Sequence, residues 1–153
     1  MIHIYYGDGQ GKTSAAIGLG MRAYGAKKTV ALVRFLKNND SGELNSVPFD
    51  VFKSPDNLGF NPGEEYRPWI KSALNFISDF NGDVLILDEF LDVIPSFVAL
   101  DDALKILNKN CELIISGHKE IKEIFERADY ITYFKNIKHP YDRGQAARSG
   151  FEY

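Results

Sequence analysis

Along the chain, short apolar runs alternate with stretches in which apolar side chains recur every three or four positions. The runs IHIYY (2–6), TVALVRFL (29–36), DVLILDEF (83–90), ELIISG (112–117) and YITYF (130–134) are rich in β-branched and aromatic residues and predict strands. VPFDVF (47–52) is a further strand candidate. The run at 83–90 is apolar at consecutive positions, as a strand buried on both faces has to be. Helical spacing predicts helices over about 13–24, 64–80, 100–107 and 119–127. In the second of these, Trp69, Ala73, Phe76 and Ile77 mark an apolar face. The first carries Ala15, Ala16, Gly18 and Gly20, small enough to approach a sheet closely, and Gly25 is placed to stop it. Strand and helix alternate throughout, which argues for an α/β fold with a mostly parallel central sheet flanked by helices. The tail, KHPYDRGQAARSGFEY, has no period.

Composition narrows the class. A chain of 153 residues is a one-domain length, so 1–153 is expected to form a single domain with a sizeable core. The net charge of −3 leaves no basic footprint for nucleic acid, so an anion has to be caught by a local site. The single cysteine, Cys111, excludes an internal disulfide and fits a reducing compartment; opening the run CELIIS, it is expected as a buried strand thiol. No stretch reaches transmembrane length, and MIHIYYGDG has neither the basic nor the apolar part of a leader. The expectation is a soluble, cytoplasmic protein with no nucleic-acid and no membrane partner.

The stretch YYGDGQGKTSAA (5–16) brings in chemistry. A phosphate-binding loop reads G-x-x-x-x-G-K-[ST] at the mouth of a helix. Gly11, Lys12 and Thr13 fit that pattern, but Tyr6 stands where the first glycine belongs, and the glycine comes one place later, at Gly7. The loop sits directly between a predicted strand and a predicted helix, as the motif requires. Glycines at 7, 9 and 11 remove the Cβ atoms that would keep backbone N–H groups from converging on phosphate. The ATP-binding candidates are therefore Gly7, Asp8, Gly9, Gln10, Gly11, Lys12, Thr13 and Ser14. Lys12 would bring charge to the phosphates and Thr13 a hydroxyl to magnesium.

A second constellation ends the run VLILDEF with Asp88 and Glu89. Carboxylates at the end of a buried strand can hold magnesium opposite the loop hydroxyl, so Thr13, Asp88 and Glu89 are the candidate metal ligands. Together these features read as a MgATP site. They leave hydrolysis, phosphoryl transfer and simple nucleotide binding all open.

The remaining motifs narrow that choice. The loop GDGQGKTS, preceded by a non-glycine residue, is followed by VRFLK (33–37), by Gly42–Glu43 and by Gly59–Phe60. Asp88–Glu89, SGH (116–118) and Ala128–Asp129 come next, and the tail has Lys138, His139, Tyr141, Gly144, Ala147, Gly150, Phe151, Glu152 and Tyr153 in register. In this order, over essentially the whole chain, the sequence resembles the P-loop ATP:corrinoid adenosyltransferases. In that family the shortened loop is a regular feature.

The resemblance implies a P-loop NTPase-like (RecA-like) domain and an unusual use of the loop. Reduced cobalt of cobalamin, or of a precursor corrinoid, attacks the 5′ carbon of ATP and expels triphosphate. Lys12, Thr13 and Glu89 are then the catalytic candidates, acting on the leaving triphosphate with magnesium rather than on a water. Phe60, Lys138 and His139 are the candidate corrinoid contacts. The resemblance further implies an external reductant such as a flavoprotein, and a homodimer. Two departures stand out: Pro62 replaces the tryptophan of the family's G-F-x-W, and His118 replaces the arginine of T-G-R. His3, His118 and His139 are read as structural residues rather than cobalt ligands.

Overall fold

The computed structural model describes residues 1–37, 41–56 and 62–151. Gly59, Phe60, Glu152 and Tyr153, all named above, lie outside the described residues. The strands are β1 (Ile2–Tyr6), β2 (Val30–Arg34), β3 (Asp50–Phe52), β4 (Val84–Asp88), β5 (Glu112–Gly117) and β6 (Tyr130–Tyr133). They form one sheet in the order β3-β2-β4-β5-β1-β6, and every neighbouring pair is parallel. The expected α/β, P-loop NTPase-like fold is therefore present, with a sheet that is parallel throughout.

The helices are α1 (Lys12–Gly25), α2 (Arg67–Asp79), α3 (Leu100–Ile106) and α4 (Lys122–Phe125). Side chains alternate across a strand, so each central strand feeds two cores. Val30, Leu32, Val84, Ile86 and Ile114 point toward α1 and meet Ala16 and Ile17. Ala31, Val33, Leu85, Leu87 and Ile115 face the other way, onto Ile70, Ala73 and Ile77 of α2, Ala103 and Ile106 of α3 and Ile124 of α4. All five residues of β4 are buried, and each buried Leu or Ile contributes roughly 1.5–3 kcal/mol. The small residues of α1 do the work expected of them at one position in particular. A Cβ on Gly20 would come within 2.6 Å of Ile86 Cδ1.

Several boundaries differ from the expectations for local reasons. Gly25 is the last helical residue of α1 rather than its stop; Ala26 caps the helix and Lys27 takes the left-handed turn at φ 65°. The helix expected from residue 64 begins as a 3-10 turn at Glu64–Tyr66, and the α-helix starts at Arg67 with Pro68 in its first turn. The helix expected over 119–127 shrinks to the single turn of α4. The Lys119 ammonium is held by the carbonyls of Asp92 and Ile94, and the His118 N–H by Asp92, so the chain leaving β5 is tied down before it can coil. Cys111 precedes β5 and is half-buried, and burial raises its thiol pKa. In the tail, Pro140–Arg143 forms a 3-10 turn that the His139 and Asp142 side chains cap reciprocally.

Candidate functional site

The phosphate loop leaves β1 and turns onto β6 before it enters α1. Gly7 has φ 113°, and a Cβ there would lie 2.4 Å from the Phe134 carbonyl oxygen. A Cβ on Gly9 would lie 2.7 Å from the Phe134 carbonyl carbon, and the Gly9 N–H donates to the Phe134 oxygen at 2.8 Å. These glycines thus allow the loop to lean on the end of β6, a role the sequence reading did not assign them. Tyr6, at the position of the missing first glycine, has its ring against Phe125 and Tyr133. Gly11 caps α1 at φ 104°; among the described residues no side chain caps this helix end, and no acidic residue occupies its first turn. The first N–H groups of α1 are thereby left for an anion.

Lys12 is buried, at 6% exposure, and its ammonium curls back to the carbonyls of Gly7 at 2.8 Å and Gly9 at 3.0 Å. Asp8 Oδ1 accepts the Asn136 N–H, just ahead of the tail, and Gln10 Nε2 donates to the Phe151 carbonyl within it. Ser14 is exposed on the first turn of α1.

Asp88 closes β4 with no exposed surface and collects three side chains. The Thr13 hydroxyl donates to it at 3.0 Å, the Ser116 hydroxyl at 2.6 Å, and the Lys37 ammonium stands 3.2 Å from its Oδ2. The same ammonium donates to Thr13 Oγ1 at 2.5 Å and lies 3.2 Å from Glu89 Oε1. Burial opposes the Lys37 charge, but the Asp88 and Glu89 carboxylates outweigh it and raise its pKa above the ordinary lysine value. A hydroxyl and two carboxylates thus converge on one cation, a donor set of the kind hard divalent ions accept.

Glu89 reaches this cluster through a left-handed backbone turn, φ 60° and ψ 23°. Its Oε2 is buried, makes no hydrogen bond among the described residues and lies 3.4 Å from His118 Nδ1. His118 Nδ1 is 2.9 Å from Asp92 Oδ2. The Asp92 and Glu89 carboxylates push the imidazole pKa up to about 9, so His118 carries a positive charge at neutral pH. The position that holds arginine in the family motif is therefore still cationic here.

Arg34 lies in register with Asp88 on the neighbouring strand and is 1% exposed. Its Nη2 donates to Ser41 at 2.8 Å and lies 3.5 Å from Glu43 Oε1, which gives the Gly42–Glu43 pair a partner. Pro62 lies in the loop ahead of α2, and Trp69 stacks on Tyr66 at 4.9 Å and donates to the Lys53 carbonyl.

A cleft of about 290 Å³ separates the loop from the tail. Asp8, Gly9, Gln10, Lys12 and His118 form one wall; His139, Pro140, Tyr141, Gln145, Ala146 and Ala147 form the other. Lys138 is exposed and does not line it. His3 packs as expected, stacked on Tyr130 at 4.5 Å with Nε2 at 2.6 Å from Glu112. Lys37 and Ser116 are the residues that sequence reasoning passed over, although both lie in stretches it quoted. A lysine just beyond the largely apolar run VALVRFL was the available signal.

The family model described as ATP:corrinoid adenosyltransferase BtuR/CobO/CobP matches residues 1–153. A protein of Escherichia coli strain K12 named corrinoid adenosyltransferase is 29% identical, over all of this chain and 85% of its own length. Corrinoid adenosyltransferase CobA of Salmonella typhimurium is 28% identical over the same shares. A corrinoid adenosyltransferase of Pseudomonas aeruginosa is 26% identical over 98% of this chain and 82% of that protein.

Proposed function

The chain belongs to the ATP:corrinoid adenosyltransferase family, and from that premise we propose that it transfers the 5′-deoxyadenosyl group of ATP to the cobalt of a reduced corrinoid, cobalamin or a precursor, releasing triphosphate. The observation that carries this reading is the cleft, in which the phosphate loop faces the tail that bears the family's closing motif. The substrate cobalt supplies the nucleophile: a cobalt–carbon bond forms at C5′, the C5′–oxygen bond breaks, and its electron pair leaves with the triphosphate.

The protein's part is to place C5′ and to hold the leaving group. Lys12 releases the Gly7 and Gly9 carbonyls and takes triphosphate oxygens in their place. The first N–H groups of α1 and the loop amides other than that of Gly9, which is held by the Phe134 carbonyl, add donors to the same anion. Thr13, Asp88 and Glu89 would hold magnesium, which supplies neutralisation of the triphosphate charge. The buried Glu89 oxygen that accepts no hydrogen bond among the described residues, and the cation already lodged among these donors, support that assignment. Asp8, Gln10 and Ser14 complete the ATP contacts.

Phe60, Lys138 and His139 are assigned to the corrinoid, His139 having support from its place in the cleft wall. The whole of 1–153 acts as one domain, in the cytoplasm, with cobalt reduced by an external partner such as a flavoprotein. Among the described residues no helix is long and apolar enough to cross a membrane. A homodimer is part of the proposal, supported by Tyr130, Ile131 and Tyr133, which are about half exposed on the sheet's edge strand.

Anaerobic protein, MgATP and chemically reduced cobalamin test this directly. The corrinoid spectrum should shift to that of the adenosylated product while triphosphate accumulates. ADP without a corrinoid change, or binding without either product, overturns it.

A further inference from the structure

Lys37 is placed with more care than a chance surface ion pair needs. The residue before it, Leu36, has φ 53°, a conformation a branched side chain rarely adopts. Its N–H is held by the hydroxyl of Tyr66, a side chain only 1% exposed. The strained turn is thus anchored from the core, and it delivers the Lys37 ammonium to Thr13 Oγ1, Asp88 Oδ2 and Glu89 Oε1 together.

Those three oxygens are the ones assigned to magnesium above, and an ammonium and a divalent ion cannot share them. We infer that Lys37 is the resident counter-cation of the metal position: it holds Thr13, Asp88 and Glu89 in the nucleotide-free protein and moves onto the triphosphate when nucleotide and metal enter together. This rests on the proposed reading of the site. The consequence is a coupling between two ligands. A divalent ion arriving alone has to expel an internal charge that then has no partner, so it binds weakly. Arriving with triphosphate, it leaves the lysine a new anion to contact, so the metal and the nucleotide favour one another. The side chain is a quarter exposed, on the four-carbon stem that gives lysine its reach.

Manganese, followed by its electron paramagnetic resonance signal, serves as the probe on the full chain. Lys37→Gln keeps a donor beside Asp88 but removes the charge. Manganese alone should bind this variant at least about tenfold more tightly than the parent, and manganese with ATP about tenfold more weakly, within the usual range of coupling between sites. Unchanged or weaker binding of manganese alone overturns the inference. A second measurement needs no variant: acetylation of Lys37 in the parent protein, mapped by mass spectrometry. Lys37 should be protected without ligands, become reactive with saturating manganese alone, and be protected again with manganese and ATP. Equal reactivity in all three conditions also overturns it. Thr13→Ala separates the layers. If that variant binds manganese–ATP as the parent does, the metal reading itself fails; if it loses binding while both Lys37 experiments are flat, the inference alone fails.

Discussion

Ser116 Oγ donates to Asp88 Oδ1 at 2.6 Å across the β4–β5 pair, and the same oxygen accepts the Glu89 N–H at 2.9 Å. One buried hydroxyl thus orients the first carboxylate and pins the left-handed turn that aims the second. Ser116→Ala strands the Glu89 N–H and removes a donor from a fully buried carboxylate. The expected cost is about 1–3 kcal/mol of stability, read as a lower thermal midpoint. MgATP affinity measured by titration calorimetry should fall as well, and a variant with both values unchanged would remove Ser116 from the site.

Lys12 is satisfied by its own loop while no phosphate is present. Lys12→Ala should leave the fold measurable by circular dichroism and lower ATP-dependent turnover by roughly 10²–10³-fold, the usual effect of losing one preorganised donor to a developing anion. Turnover near the parent value would sink the loop assignment.

Two glycines make a paired test with opposite signs. At Gly9 a new Cβ meets the Phe134–Lys135 backbone under 3 Å away, so Gly9→Ala should push the loop off β6. The expected loss is about 1–3 kcal/mol, with weaker nucleotide binding. At Gly18, in the interior of α1, nothing lies within 4 Å of the new methyl. Gly18→Ala should raise stability by about 0.5–1 kcal/mol. Urea unfolding midpoints decide both.

The His118–Asp92 contact makes stability depend on pH in a defined direction. The folded His118 pKa, about 9, lies above its ordinary value of 6.5. Its contribution is therefore complete below about pH 6.5 and is lost as pH rises through 9. Burial acts to raise the Asp92 carboxyl, but its bonds from His118 bring it down to about 2, against an ordinary 3.8. That contribution is present above pH 3.8 and is lost as pH falls through 2. In metal-free buffer, thermal midpoints of the parent should decline from pH 6.5 to 9.5 relative to those of His118→Gln. Parallel curves would show that the contact carries no linkage.

The strands were legible because burial leaves a direct mark on composition. β4 and β5 sit inside a two-faced sheet, and nearly every residue had to be apolar for them to do so. The loop was legible as a strand-to-helix turn because the glycines its backbone needs fall at alternate positions just ahead of the helix. α4 was not, because what halts the helix is a set of bonds from Lys119 and His118 to the segment after β4, more than twenty residues away in sequence. Lys37 and Ser116 were missed for a related reason. Ser116 reaches Asp88 from the neighbouring β5 and Lys37 from just beyond the neighbouring β2, and no local period records which strand ends lie side by side. The replacement of arginine by His118 stood in the sequence only as a departure; the two carboxylates around the ring are what keep that position cationic.

The loop's seat on β6 has a consequence for how the protein is made. Among the described residues β1 pairs with β5 and β6, so it stays unpaired until residues 112–133 have followed it. The glycines that cross Phe134 wait equally long. Such distant pairings make for a slow closing step, and the ribosome delivers the phosphate loop well before the support that shapes it. A ligand held by the finished loop would then stabilise the completed fold rather than template it early.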